Sequence, residues 1–312
     1  MKRLGLLLFA AAFALAAGAA EKRPLRVLMI GNSFSISVLK ELPHIVDAQD
    51  EYALDITSLY IGGCSLQRHI REYETALADP THRPYALDRY VTGQGRLKRV
   101  RANLIEALDA GSYDVVTIQQ ASPQSFSPAG WVPWGDRLVA IVREKQPRAK
   151  LMLHQTWSYR VDAPRLKKWK LTPEEMFTRV REVYAERARH FGCGVIPMGD
   201  AVRLWRSRSG KATPLSVPAA ELAKYRPPAT PSYKGDVVGS WRWGRRKGDS
   251  PRKLQRDAIH LNPDGAYLQG CVWFAVLFGA DATKIAYRPA YLTSREAELI
   301  RRCAADAVAG KL

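Results

Sequence analysis

The sequence lacks the features that would place it in a specialised structural class. Beyond its first 20 residues it has no apolar run approaching the roughly 20 residues that a membrane-spanning helix needs, and its mean hydropathy is −0.25. It has no heptad stretch or internal repeat, and its four cysteines and six histidines do not have zinc-ligand spacing. The 46% hydrophobic content of its 312 residues is spread along the chain. These observations exclude a disordered or polytopic membrane protein and predict a globular protein with a sizeable core.

Acidic residues are scarce relative to basic ones, at 30 against 48, which gives a net charge of +18. The excess is concentrated in residues 206–256, here called the basic insertion, which has 13 Lys/Arg against 3 Asp/Glu together with six prolines, Trp241 and Trp243. The insertion has two interpretations. It is either a solvated surface excursion whose charge keeps the protein soluble, or a surface of arginines and tryptophans that binds an anionic or sugar-rich partner.

The N-terminus has the pattern of a secretory signal peptide. Lys2 and Arg3 precede an apolar stretch at 4–17, and small residues follow at 18–20. A membrane anchor is the alternative, but the apolar stretch is short for spanning a bilayer. We therefore expect residues 1–20 to be removed, and a protein beginning near Glu21 to be exported to the periplasm or the extracellular space without a transmembrane segment.

Four cysteines follow the predicted leader, at positions 64, 193, 271 and 303. Export would permit their oxidation, and four cysteines allow three complete pairings. Cys271 and Cys303 both lie in the C-terminal helical region, which favours a disulfide between them. The alternative is that all four are small buried apolar residues.

Short apolar strands alternate with helices along the chain. Strands are predicted at 26–30, 54–61, 114–118, 150–154 and 193–197. Helices are predicted up to about Gln49 and then at 66–78, 97–110, 136–145, 173–191, 263–278 and 294–308, with Thr172 as the cap of the longest. This alternation favours a parallel sheet covered on both faces. We therefore predict one α/β domain over 21–312, a three-layer α/β/α sandwich with a mainly parallel five-stranded sheet, interrupted by the basic insertion.

Polar and glycine residues follow the predicted strands, where open parallel sheets bind their ligands. They are Gly31-Asn32-Ser33, Gly62-Gly63, Gln119-Gln120 and Gln155-Thr156-Trp157, with Asp257 and His260 in a loop before the C-terminal helix. A hydroxyl nucleophile needs a base within hydrogen-bond reach and a group that orients the base. Ser33, His260 and Asp257 supply these three types.

Each residue of this set also has a structural interpretation. Ser33 could cap a helix, His260 could be a packed or surface histidine, and the glutamines could satisfy buried backbone groups. Trp157 is either a platform for a sugar ring or a packing residue. Single residues therefore do not decide between chemistry and structure.

The order of the motifs carries more weight. VLMIGNSFS, LYIGG, VTIQQAS and DAIHLNPDGAYLQG occur in this order and resemble the SGNH (GDSL-like) hydrolase superfamily, closest to a bacterial subgroup whose first block reads GNSF. The resemblance covers nearly the whole chain outside the leader and the basic insertion, and implies a flavodoxin-like SGNH hydrolase fold. It also implies that Ser33 is the nucleophile, His260 the general base and Asp257 the carboxylate that orients it.

The resemblance implies an oxyanion hole as well. Its donors would be the backbone N–H of Ser33, that of Gly63 with Gly62 as a neighbouring alternative, and the side chain of Gln120. The third block usually offers an asparagine after a glycine, and this chain has none there. Gln120 instead looks like the glutamine of sialate O-acetylesterase-like relatives, with Gln119 as a rival. Asn32 stands where many relatives carry aspartate.

These residues predict an exported serine esterase that hydrolyses an O-acyl, most simply an O-acetyl, ester of a small-molecule or polysaccharide carbohydrate through an acyl-enzyme. No metal or organic cofactor is required. Trp157 would contact the sugar, and the basic insertion favours an anionic glycan. A lipid or lysophospholipid esterase is the alternative enzyme, and a non-catalytic glycan-binding protein that retains the fold is the alternative outside enzymes. We expect no nucleic-acid partner, because export and the lack of a reader motif argue against one.

Overall fold

The computed structural model describes residues 22–210, 217–244 and 252–312. The predicted signal peptide and parts of the basic insertion lie outside these residues. Within them, no helix combines the length and the apolar character needed to cross a membrane.

Ten strands form in the described part of the chain. They are β1 Leu25–Gly31, β2 Leu54–Tyr60, β3 Tyr85–Val91, β4 Gly95–Arg96, β5 Val100–Ala102, β6 Val115–Ile118, β7 Lys150–His154, β8 Gly194–Ile196, β9 Val238–Trp243 and β10 Leu254–Leu261. The first eight belong to one sheet, and β9 pairs with β10 in a separate antiparallel hairpin.

The five predicted strands pair in parallel in the order β2, β1, β6, β7, β8. Residues 27–30 of the central strand β1 are almost completely buried, as expected for a parallel strand covered on both faces. The carboxyl ends of β1, β2 and β6 lie at the same edge of the sheet. Ser33, Gly63 and the Gln119-Gln120 pair follow these three strands and therefore come close together.

The helices of the described residues have the following bounds: α1 Val38–Asp47, α2 Leu66–Ala78, α3 Leu104–Asp109, α4 Trp134–Lys145, α5 Pro164–Trp169, α6 Pro173–Phe191, α7 Met198–Arg208, α8 Ala219–Leu222, α9 Pro263–Phe278 and α10 Ser294–Val308. Short 3₁₀ turns lie at Pro128–Gly130 and Ala282–Lys284. Helices α1, α7, α9 and α10 pack on one another, and α2, α3 and α4 form a second group. The three-layer α/β/α fold predicted from the sequence is confirmed.

One edge of the sheet differs from the prediction. Strand β3 pairs antiparallel with β2, and the short strands β4 and β5 pair with β3. The predicted helix at 97–110 is wrong in its first half, because residues 97–99 are irregular and Val100–Ala102 form β5. The helix begins only after Asn103, whose side chain accepts from the Glu106 N–H while Glu106 accepts from the Asn103 N–H. This capping box fixes the start of α3.

The predicted disulfide between Cys271 and Cys303 is wrong, because all four cysteines are free thiols. Three of them are fully buried, at positions 64, 271 and 303. Burial raises the pKa of Cys64 to about 12 and that of Cys303 to about 11. The structure therefore agrees with the alternative in which these residues are small and apolar.

The basic insertion is partly built into the fold. Its described residues include α8, strand β9 and the first part of β10. Asp236 accepts from Arg206 at 3.2 and 3.1 Å and ties the start of the hairpin to α7. Asn262, which caps α9, donates to the carbonyls of Asp236 and Gly239. The insertion thus leads directly into the strand that carries Asp257.

Candidate active site

The turn after β1 presents Ser33 at the edge of the sheet. Gly31 permits this turn, since a Cβ there would lie 2.2 Å from Ser35 Oγ and 3.3 Å from Gln119 Oε1. Asn32 is 2% exposed and its Oδ1 accepts from the Phe34 N–H at 3.0 Å. Ser33 is half-buried at the tip. The turn is thus fixed by a close backbone approach and an internal hydrogen bond.

Asp257 and His260 lie in strand β10, not in the loop that the sequence predicted. The pairing of β10 with β9 shifts register between Asp257 and Leu261. Within this irregular stretch, Asp257 Oδ1 accepts from the backbone N–H groups of Ile259 and His260, both at 2.9 Å. The distorted strand therefore folds the His260 ring back onto the carboxylate of Asp257.

The structure brings Ser33, His260 and Asp257 into one line of hydrogen bonds. His260 Nδ1 lies 2.7 Å from Asp257 Oδ2, and its Nε2 lies 2.9 Å from Ser33 Oγ. A carboxylate only accepts, so Nδ1 carries the proton and Nε2 accepts from the Ser33 hydroxyl. Burial opposes ionisation of Asp257, but the hydrogen bonds from His260 and Ile259 outweigh it and hold the pKa of Asp257 well below its usual range. Asp257 is therefore ionised at neutral pH.

Two residues that line the cavity at Ser33 Oγ, Ser33 itself and Gly63, carry backbone N–H groups that are candidate donors. Gly63 has a φ of +63°, a backbone conformation that residues other than glycine rarely adopt. In the part of the chain that the structure describes, neither the Ser33 N–H nor the Gly63 N–H donates to a protein acceptor. Both are available to hold a negative oxygen.

The cavity in front of Ser33 has a volume of about 420 Å³. It is lined by Asn32, Ser33, Phe34, Gly63, Ser65, Ala121, Ser122, Pro123, Gln124, Arg165, Ile259 and His260. Hydroxyl, amide, imidazole and guanidinium groups thus alternate with a few small apolar surfaces. This volume is in the range of small-molecule sites, about 300–1,000 Å³.

The structure does not place Gln120 in this cavity, contrary to the sequence prediction. Its side chain is completely buried. Its Oε1 accepts from the N–H groups of Leu66 and Ala121 at 3.0 and 2.7 Å, and its Nε2 donates to the carbonyl of Gly130. Both ends of the amide therefore satisfy backbone groups. Satisfying buried backbone groups is the structural role that the sequence analysis gave as the alternative for the two glutamines.

Gln119, the rival donor, is also turned away from the cavity and belongs to a buried network that the sequence analysis did not find. Its Nε2 donates to Asn32 Oδ1 and its Oε1 contacts His154 Nδ1, both at 2.8 Å. Asn32 Nδ2 in turn donates to the carbonyl of Cys64 at 2.9 Å. The network therefore joins the turn of Ser33 to the loop of Gly63.

His154 and Gln269 extend this network. Gln269 Nε2 donates to Phe34 O at 2.9 Å and lies 3.1 Å from His154 Nε2. His154 Nε2 is thus the acceptor, and its Nδ1–H donates to Gln119. Burial lowers the pKa of His154 to about 3, so the ring is neutral. A signal was present in the sequence, since His154 follows three apolar residues in the strand KLMLH, but nothing there indicated its partners.

The prediction that Trp157 contacts a sugar is wrong, because its side chain is completely buried. The indole stacks on Phe34 with ring centroids 4.2 Å apart, and its Nε1 donates to Ile259 O at 2.9 Å. Trp157 therefore connects Phe34, the residue after Ser33, to Ile259, the residue before His260. Its role is to pack the two halves of the site together.

Candidate metal ligands do not cluster in the described residues. Within residues 22–210, 217–244 and 252–312, no group of three or more histidine, cysteine or acidic side chains is arranged to hold a metal ion. The chemistry available at this site is that of a hydroxyl, an imidazole and a carboxylate beside two N–H donors. That set is typical of acyl transfer.

Comparison with known families identifies the chain. The DUF4886 family, described as a domain of unknown function, matches residues 26–210 and 244–307. The chain belongs to this family. The DUF4886 match includes Ser33, Gly63, Asp257 and His260 and leaves out 211–243, most of the basic insertion. No curated protein matches the chain.

The solved structures that the chain is similar to include one of the same family. A DUF4886 family protein from Bacteroides uniformis is 25% identical with a TM-score of 0.73, over 93% of this chain and 97% of that one. A candidate SGNH hydrolase from Slackia heliotrinireducens is 20% identical with a TM-score of 0.44, over 80% and 97%. A GDSL-like lipase from Bacteroides thetaiotaomicron is 10% identical with a TM-score of 0.42, over 82% and 88%. The structural neighbours of this DUF4886 protein thus include SGNH and GDSL-like hydrolases.

Proposed function

We propose that this DUF4886 protein is an exported serine esterase that removes O-acyl groups, acetyl groups above all, from a carbohydrate. The observation that carries the proposal is the line of hydrogen bonds from Ser33 through His260 to Asp257, with Oγ–Nε2 and Nδ1–Oδ2 distances of 2.9 and 2.7 Å. This line opens on a cavity lined also by Gly63, and the N–H groups of Ser33 and Gly63 have no acceptor in the part of the chain that the structure describes.

The geometry supports a two-step acyl transfer. His260 Nε2 takes the Ser33 proton as Oγ attacks the ester carbonyl, and Asp257 stabilises the imidazolium that forms. The N–H groups of Ser33 and Gly63 hold the carbonyl oxygen as it becomes negative. His260 then gives the proton to the leaving alcohol, which departs and leaves an acyl-Ser33. Water, deprotonated by His260, attacks this ester and releases the carboxylic acid and free Ser33.

The cavity supports a small acyl group on a hydroxyl-rich alcohol. Its apolar lining consists of Phe34, Ala121, Pro123 and Ile259, which is little surface for a long hydrocarbon chain. Ser65, Ser122 and Gln124 offer hydrogen-bond donors and acceptors on other sides. A carbohydrate ester therefore fits this lining better than the lipid or lysophospholipid ester kept as the alternative.

Acetate release from a panel of acetylated sugars and from p-nitrophenyl acetate tests the proposal. Ser33→Ala is expected to lower kcat/KM by at least about 10³-fold, because it removes the nucleophile. Ser207→Ala is the matched control, since Ser207 is an exposed serine of α7 away from the cavity. It is expected to keep full activity. Equal activity in Ser33→Ala and the wild type would overturn the proposal.

The panel also separates the alternatives. A preference for long acyl chains would favour the lipid esterase, whereas binding of acetylated glycans without turnover would favour the non-catalytic binding protein.

Export is proposed on the basis of the leader at 1–20. After expression of the full chain in a Gram-negative host, we expect a periplasmic protein that begins near Glu21. An uncleaved protein confined to the cytoplasm would contradict export.

A further inference from the structure

One guanidinium lines the cavity beside the reacting groups. Arg165 belongs to α5 and shares the cavity with Ser33 and His260. Its Nη1 donates to the Tyr159 hydroxyl at 3.4 Å, and this hydroxyl lies 2.6 Å from Ser122 Oγ. Because Tyr159 is fully buried, it provides a fixed point that holds the exposed Arg165 side chain at the cavity wall.

Arg165 differs from three other arginines near the hairpin, which are paired with carboxylates. Arg160 and Arg256 bind Asp162 at 3.1 and 2.7 Å, and Arg206 binds Asp236. Arg165 has no carboxylate partner among the residues that the structure describes. None of the residues lining the cavity is acidic. Most of the N–H donors of the Arg165 guanidinium therefore remain available to a ligand.

The charged residues that follow Arg165 closely in the chain are also basic. Three lysines follow Arg165 closely in the chain, at positions 167, 168 and 170, and Lys167, Lys168 and Lys170 are all exposed. Helix α5 has no acidic residue in its first turn or elsewhere in PRLKKW. No acidic residue of this segment can therefore pair with Arg165 in place of a ligand.

We propose that Arg165 binds a carboxylate carried by the substrate next to the ester that Ser33 attacks, as in an O-acylated uronic acid. This inference rests on the proposed esterase function and names its substrate class. A planar guanidinium matches a carboxylate through two parallel hydrogen bonds, which gives both affinity and orientation. Arg165 is thus a specificity-determining residue that places the acylated hydroxyl of the sugar at Ser33.

The test compares monoacetylated methyl glucuronoside with monoacetylated methyl glucoside, which differ in the carboxylate. The wild type is expected to prefer the glucuronoside by about 10- to 100-fold in kcat/KM, the effect of a charged hydrogen-bonded pair. Arg165→Gln is expected to lower this preference at least about tenfold, whereas Lys168→Gln, which removes an exposed charge from the same helix, keeps it. A wild type without preference, or a preference unchanged in Arg165→Gln, would overturn the proposal.

A binding measurement separates this proposal from the esterase proposal. Unacetylated methyl glucuronoside is titrated calorimetrically into Ser33→Ala and into Ser33→Ala with Arg165→Gln. Binding is expected in the first and a loss of about tenfold or more in the second, with thermal unfolding curves verifying that both fold. Equal affinity would overturn the role of Arg165, even if Ser33-dependent ester hydrolysis is observed. An Arg165-dependent affinity without ester turnover would contradict the esterase proposal alone.

Discussion

Ser33 and His260, the proposed nucleophile and base, are held by two different kinds of structure. Ser33 follows a central strand of the parallel sheet, and the groups behind it, Asn32, Gln119 and His154, are at most 2% exposed and joined by neutral hydrogen bonds. His260 lies on a two-stranded hairpin outside that sheet, whose anchors include the ion pairs of Asp162 and Asp236.

This contrast shows how one site combines a rigid half with a half fixed by a few specific contacts. Buried neutral networks resist salt and are costly to disrupt, because each lost partner leaves an unsatisfied polar atom. Partly exposed ion pairs are weaker and are screened by salt. We therefore expect substitutions in the network of Asn32, Gln119 and His154 to affect stability and activity together, and substitutions on the hairpin to affect activity more than stability.

The largest effect is expected from Asp257→Asn on the hairpin. Asparagine keeps the shape but lets the His260 ring adopt a tautomer that cannot accept the Ser33 proton, so kcat is expected to fall by about 10³- to 10⁴-fold. Acetate release and thermal unfolding measured on the same preparation check this. A loss of less than about tenfold would show that Asp257 does not orient the base.

The adjacent glutamines provide a matched pair on the nucleophile side. Gln119→Ala and Gln120→Ala each leave buried polar groups without partners, so both are expected to lower the free energy of unfolding by about 1–3 kcal/mol. Gln119→Ala is also expected to lower kcat about tenfold, because it releases Asn32 behind the nucleophile. Gln120→Ala is expected to keep kcat within about threefold, since its amide is turned away from the cavity.

Denaturant unfolding and acetate release on the two variants measure this difference. An oxyanion donor typically contributes about 10²–10³ in kcat. A loss of that size in Gln120→Ala, with Gln119→Ala nearly unaffected, would restore Gln120 to the oxyanion hole and contradict its observed orientation.

A smaller effect is expected from Trp157→Phe, which tests the contact between the two halves. Phenylalanine retains stacking on Phe34 but cannot donate to Ile259 O. We expect kcat to fall by about three- to tenfold with KM little changed, and stability to fall by about 1 kcal/mol. Steady-state kinetics and thermal unfolding check this. A change in KM for sugars alone would instead support the sugar-platform role that burial of the indole argues against.

The smallest expected effect is on the pH dependence of stability. The pKa of Asp257 in the folded protein is below its ordinary value of 3.8. Its contribution to stability is therefore fully present above that value and is lost as the pH falls through the folded pKa. The difference in melting temperature between the wild type and Asp257→Asn is expected to stay constant above about pH 5 and to shrink as the pH falls below 3.8. A difference that widens with acid would contradict this sign.

The sequence predicted the parts of the fold that depend on local patterns. Residues 173–191 form a helix with the predicted bounds, because Thr172 caps it and Gly192 ends it with a φ of +56°. The five parallel strands were visible as short apolar runs. Strand β5, at Val100–Ala102, was not, because an edge strand depends on pairing with a neighbour more than on its own pattern.

The site was predictable in its residue types and their order along the chain but not in the direction of its side chains. Ser33, Asp257 and His260 meet as their order implied, although the last two lie in a distorted strand and not a loop. Gln120 and Trp157 follow strands at the correct edge yet point into the core. The apolar pattern of a strand and the position of a residue after it assign that residue to an edge of the sheet. Tertiary packing decides which way its side chain turns.

Trapping of the acyl-enzyme tests the central claim most directly. The protein is mixed with p-nitrophenyl acetate, quenched rapidly in acid, digested and analysed by mass spectrometry, with Ser33→Ala treated in parallel. We predict one added acetyl group on the peptide that contains Ser33 in the wild type, and none at the matching peptide of the variant. Acetylation of a different serine, or turnover in Ser33→Ala equal to that of the wild type, would contradict the assignment of Ser33 as the nucleophile.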